Sequence, residues 1–204
     1  VIVIETENKT VIGDTLFDVK FSGISWNGNN GFYYSSYEKP KNSALSEKTD
    51  RHILYYHTLY SSQKDDKVIF GHKEKYRYLS GYITEDQNYL VISGSKETSG
   101  NNLYIKDLKK NKAKLIQLTQ NFESNSYIIH NIKSKLYIST NLNAPNKKII
   151  IVDANNPNPK NWIDLIIVNI IFKMDIKNFC FLLILMGLIK LRKMRFIYGQ
   201  EEIL

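Results

Sequence analysis

The chain has 204 residues, 43% of them hydrophobic and 24% charged, which is enough apolar material for a core and an ordinary charge content. The formal net charge is +8, but lysines alternate with acids, as in Lys64-Asp65-Asp66-Lys67 and Lys73-Glu74-Lys75. They do not form the one-sided basic footprint that nucleic acid requires, so nucleic-acid binding is set aside. Cys180 is the single cysteine, which excludes an intramolecular disulfide.

The aromatic content is high, with 14 Tyr, 9 Phe and 2 Trp. Aromatic and β-branched residues favour strands. In chain order, a short, largely apolar strand recurs at residues 1–5 (VIVIE), 53–58 (ILYYHT), 102–108 (NLYIKDL) and 148–153 (KIIIVD). The last three begin 49 and 46 residues apart, and the first gap is slightly longer.

Between these strands a second unit repeats. It is FSGISWNGNNGFYYSS at residues 21–36, LSGYITEDQNYLVIS at 79–93 and SYIIHNIKSKLYIST at 126–140. Each reads as a hairpin, with polar turns at 27–31, 85–88 and 131–135. Asn, Asp and Gly suit such turns because they tolerate positive φ or bond their own backbone. A four-stranded unit recurring every 40–50 residues or so is the sequence signature of a β-propeller blade. The expected fold is therefore all-β, a partial propeller of about three and a half four-stranded blades over residues 1–165. Residues 37–50 (YEKPKNSALSEKTD) lengthen the first repeat and read as an inserted polar surface loop.

Several of these segments resemble the prolyl oligopeptidase family. They are VKFSGISW (19–26), GFYYSSYEK (31–39), TDRHILYYHTL (49–59), YITEDQNYLVIS (82–93), NLYIKDL (102–108), LNAPNKKIIIVD (142–153) and NNPNPKNWIDL (155–165). The resemblance runs over residues 2–165, in order and without large gaps. It implies a serine endopeptidase that cuts short proline-containing peptides after proline. In such a protein a seven-bladed propeller covers an α/β-hydrolase domain and restricts access to small peptides. It further implies that Phe21, in the KFS segment, lines the substrate cavity; an aromatic packed between blades is the equally weighted alternative. Family members occur in the cytosol and in the periplasm, so the compartment stays open. No cofactor is implied.

The family's catalytic residues belong to the hydrolase domain. No Gly-x-Ser-x-Gly occurs in the 204 residues, so the nucleophile elbow is missing. These residues alone are not expected to hydrolyse a peptide by the family's mechanism. A non-catalytic propeller-like module that binds protein or peptide is the alternative reading.

Other constellations are weaker. His52 and His57, five apart on one strand, would face opposite ways and share no metal. These two, with His72 and His130, read as surface or turn histidines. Asp65-Asp66 and Glu85-Asp86 sit in polar turns and read as solvated pairs, not as acid–base couples. Residues 94–100 (GSKETSG) lack the spacing and the strand-to-helix setting of a phosphate loop. Asn8-Lys9-Thr10 matches a glycosylation sequon, a short and unspecific pattern.

Residues 166–204 change character. Alternation stops, turn signals thin out and the resemblance ends. The longest uncharged apolar run there, residues 179–189, has 11 residues, short of the ~20 that a spanning helix needs. An interfacial helix with Lys190, Arg192, Lys193 and Arg195 at its end is a second reading. The favoured one is an aberrant, out-of-frame tail. A half ring leaves two blade faces open, so poor solubility of the isolated chain is expected.

Overall fold

The computed structural model describes residues 1–37, 51–73 and 75–167, and the short strands at 196–198 and 201–203. The readings of the inserted loop over 38–50, and of the membrane-like run and Cys180, fall on residues outside these.

Strands β1 (Ile2–Ile4) and β2 (Val11–Thr15) form a two-stranded sheet. Three four-stranded antiparallel sheets follow, each with its strands in sequence order. The first contains β3 (Ser25–Asn27), β4 (Gly31–Tyr37), β5 (His52–Thr58) and β6 (Lys67–Phe70). The second contains β7 (Tyr78–Ile83), β8 (Tyr89–Ser95), β9 (Asn102–Asp107) and β10 (Ile116–Gln117). The third contains β11 (Ser126–Ile132), β12 (Lys135–Thr140), β13 (Lys148–Asp153) and β14 (Ile163–Ile167). Separately, β15 (Phe196–Tyr198) pairs with β16 (Glu201–Ile203).

The repeat read from sequence thus maps onto blades. Strands β5, β9 and β13 are the third strands of their sheets, and the hairpins are first and second strands. Strand β1 corresponds to them, so β1–β2 is the outer half of a preceding blade. This is a half blade plus three complete ones.

The second and third strands are apolar on both faces because each blade packs against a neighbour on each side. Along β4, Phe32 and Tyr34 pack toward the half blade with Val3 and Leu16, while Tyr33 turns the other way, onto Leu79, Leu90 and Ile92. Along β8 the alternation repeats. Leu90 and Ile92 join that same core, and Tyr89 and Val91 join the next one, with Leu136, Ile138, Ile150 and Val152. Fully burying one such Leu or Ile contributes about 1.5–3 kcal/mol. On the last blade, Tyr137, Ile149, Ile151 and Leu165 form their own cluster on the far face, where Tyr127 and Ile129 of β11 are exposed.

Turn chemistry sets the registers. Gly28 takes φ +55° in the β3–β4 turn. The β11–β12 hairpin closes between Ile132 and Lys135 with Lys133 at φ +53°.

Candidate functional site: the aromatic cluster around Phe21

Phe21 lies in the link between β2 and β3. Strand β4 pairs antiparallel with β3, so its C-terminal Tyr37 lies at the same end of the blade. Tyr78, which begins β7 on the next blade, completes the group. The Phe21 ring meets Tyr37 edge-on at 6.3 Å and Tyr78 edge-on at 6.1 Å. Two cations flank the cluster, with Lys20 Nζ 5.4 Å from the Phe21 ring centre and the Arg77 guanidinium 5.3 Å from that of Tyr78. Both distances are within cation–π range.

Phe21 is 65% exposed, so it is not an aromatic sealed between blades. Its backbone is left-handed, at φ +52°, an uncommon conformation that is strained for a bulky residue. Left-handed backbone alone marks no site, since Tyr60 and Phe122 share it. What distinguishes Phe21 is the combination of an exposed ring with two tyrosine rings at its edges.

Beneath the cluster sits His52, at the start of β5. Tyr37 stacks on its imidazole with centroids 4.2 Å apart and planes inclined by 16°. The Leu79 backbone N–H donates to Nδ1 at 2.9 Å, so Nε2 carries the ring proton in the neutral ring and donates to the Lys20 carbonyl at 3.1 Å. The Tyr37 hydroxyl donates to the Arg77 carbonyl at 2.8 Å. Burial pushes the His52 pKa down to about 4, partly countered by the Lys20 hydrogen bond, because desolvation disfavours the imidazolium.

The reading of His52 and His57 as surface or turn histidines is therefore corrected. Both lie within a strand and are buried, because a third strand is covered on both faces. They do face opposite ways, as their spacing requires. His57 sits between Asp66, with Nδ1 2.8 Å from Oδ1, and Asp14, with Nε2 3.5 Å from Oδ2. Asp66 is corrected too, since its side chain is buried and its second oxygen accepts the Tyr34 hydroxyl at 2.7 Å. Burial, then that hydrogen bond, raises the Tyr34 pKa. His130 lies half-buried in β11 beside Tyr137, whereas His72 is exposed.

Asp86 is exposed and works as a turn organiser. It accepts from the Thr84 hydroxyl, the Asn88 backbone and side chain, and Asn131 of the next blade at 2.6 Å. These bonds hold its pKa below the usual carboxylate value against the opposing effect of desolvation. Residues 94–100 run from the end of β8 into its connection to β9, with no helix to receive a phosphate. Among the described residues no three His, Cys, Asp or Glu side chains gather as metal ligands. No helix among them is long and apolar enough to cross a membrane.

Sequence reasoning alone missed His52, Tyr37 and Tyr78 as parts of the Phe21 cluster. The available signal was indirect, since Tyr37 and Tyr78 bracket the strands on either side of one seam.

Residues 1–169 match the family model described as the prolyl oligopeptidase N-terminal beta-propeller domain. The chain belongs to the prolyl oligopeptidase family. It is 49% identical over 168 residues to a prolyl endopeptidase of Elizabethkingia miricola, covering 81% of this chain and 24% of that protein. It is 45% identical, with the same coverage, to the prolyl endopeptidase of Elizabethkingia meningoseptica. Among solved structures, prolyl oligopeptidase B from Galerina marginata, bound to a 25mer macrocyclization substrate, superposes with a TM-score of 0.69 at 26% identity. That match covers 78% of this chain and 23% of that one. The chain spans about a quarter of the length of the curated prolyl oligopeptidase relatives it matches.

Proposed function

We propose that this chain is the first half of the gating propeller of a serine endopeptidase that cleaves short peptides after proline, with catalysis supplied by a hydrolase domain. In this reading the Phe21 ring is an apolar wall for the peptide residues upstream of proline. In the same reading the tail foreign to the propeller begins later than residue 166, since β14 runs to Ile167 and the family match to residue 169.

The observation that carries the reading is the Phe21 cluster itself. An exposed ring on left-handed backbone costs stability and buries little in return. Such strain persists where function uses it. The framing tyrosines give a proline-containing peptide flat apolar surfaces with polar edges, the usual composition of a small-ligand site. Short proline-containing peptides are the partner class this surface suits, and nothing in the reading calls for a cofactor.

The test is a chimera in which residues 1–167 replace the equivalent segment of the Elizabethkingia miricola prolyl endopeptidase. It should cleave a short proline-containing peptide and spare a folded protein. Phe21→Ala in it should raise KM by about tenfold with kcat within twofold, the signature of lost uniform binding worth ~1.4 kcal/mol. An unchanged KM would remove Phe21 from the substrate site.

A further inference from the structure

We propose that His52 is the positioning residue of the Phe21 site, holding the link before β3 and the start of β7 at a set separation so that the Phe21 ring is presented between Tyr37 and Tyr78. This rests on the reading of Phe21 as a peptide wall. The geometry of His52 stands by itself.

Three elements meet at this side chain. Nε2 holds the carbonyl of Lys20, one residue before Phe21. Nδ1 holds the amide of Leu79, one residue after Tyr78. The ring face carries Tyr37. Each residue of the aromatic cluster is thus either stacked on His52 or next in sequence to a group bonded to it. The His52 backbone N–H also donates to the Tyr76 carbonyl at 2.8 Å, so β5 and the approach to β7 are tied at two points.

The bridge needs one donor and one acceptor about 2.2 Å apart on a rigid side chain, which a neutral imidazole provides. Glutamine has the same pair, a carbonyl oxygen and an amide nitrogen on one carbon, and can bond both partners. Leucine fills the volume but leaves a buried N–H without its acceptor. The charged and titratable neighbours are the Tyr37 ring on the stacked face, the Arg77 and Lys20 side chains over Tyr78 and Phe21, and Tyr76 at the backbone contact.

The experiment uses the full 204-residue chain, or the chimera described above where that chain is insoluble, and the variants His52→Leu, His52→Gln, Phe21→Ala and Ile150→Ala. The last is a control that perturbs the core between the second and third complete blades. Long-range 1H–15N spectra at pH 7 should show His52 protonated at Nε2 and bare at Nδ1. Ring-to-ring NOEs from Phe21 to Tyr37 and Tyr78 report the cluster, and titration with benzyloxycarbonyl-Gly-Pro reports peptide binding. His52→Leu should lose the NOEs and weaken the peptide at least fivefold. His52→Gln should keep the NOEs and bind within twofold of the parent. Ile150→Ala should keep the NOEs.

A folded His52→Leu variant with its NOEs intact would overturn the proposal. So would an Nδ1-protonated ring in the parent. If His52→Leu does not fold, His52→Gln decides, and loss of the NOEs there overturns the bridge. Unchanged peptide binding in Phe21→Ala would instead overturn the peptide-wall reading, while the NOE comparison still judges His52.

Discussion

Nδ1 of His57 lies 2.8 Å from a carboxylate oxygen of Asp66, and both side chains are almost wholly shielded from solvent. The contact joins the end of β5 to the residue before β6, and Asp14 on β2 approaches the opposite nitrogen. The pair therefore links the half blade to the first complete blade as well as closing its own outer hairpin.

Asp66→Ala removes an acceptor from both His57 and Tyr34. Leaving a buried donor without its acceptor costs about 1–3 kcal/mol for each group. Urea denaturation should show a midpoint shift of that size with an unchanged slope. A loss below about 1 kcal/mol, the net worth of one ordinary hydrogen bond, would mean that the pair is dispensable.

Two glycines separate backbone strain from close packing. Gly100 has φ +76°, and a Cβ there would stand 1.8 Å from the Phe122 carbonyl oxygen. Gly28 has φ +55° and open space around it. Gly28→Ala should cost about 1 kcal/mol, the left-handed penalty alone. Gly100→Ala should cost clearly more, because backbone must move to admit the methyl. Equal costs in paired thermal melts would contradict the packing at Phe122.

His52 makes stability pH-dependent. Its folded pKa of about 4 lies below the ordinary histidine value of 6.5, so between those values the unfolded chain binds a proton that the native chain refuses. Stability due to this residue is full above about pH 6.5 and falls as pH drops toward 4. The integrated loss is on the order of 3 kcal/mol. Denaturation series at pH 7 and pH 4.5 should show this component in the parent and not in His52→Gln. The same pH dependence in both would assign the effect to other groups.

Phe21→Gly relieves the left-handed backbone and removes a ring that is mostly in water. Stability should stay level or rise by up to about 1 kcal/mol. A loss above about 2 kcal/mol would mark Phe21 as a packing residue, since losses of that size come from emptied core positions.

Much of the fold was legible in the chain itself. The recurrence of VIVIE, ILYYHT, NLYIKDL and KIIIVD is the recurrence of one blade position, and the Asn- and Gly-rich turns lie where the hairpins close. Local chemistry carries that information, because strand alternation and turn conformation depend on residues a few positions apart. The fate of the polar side chains was decided elsewhere. His52 takes its partners from Lys20 and Leu79, 32 and 27 residues away, and Asp66 meets Tyr34 at a separation of 32. A histidine in an apolar strand and an aspartate in a polar turn look alike whether solvated or buried. Only the packing of one blade on the next supplies the donors and acceptors that make burial affordable. Phe21 is the converse case, an aromatic that sequence alone assigns equally well to a core. The tertiary structure holds it in the open, because the strands around it fill the seam with Tyr37 and His52 instead.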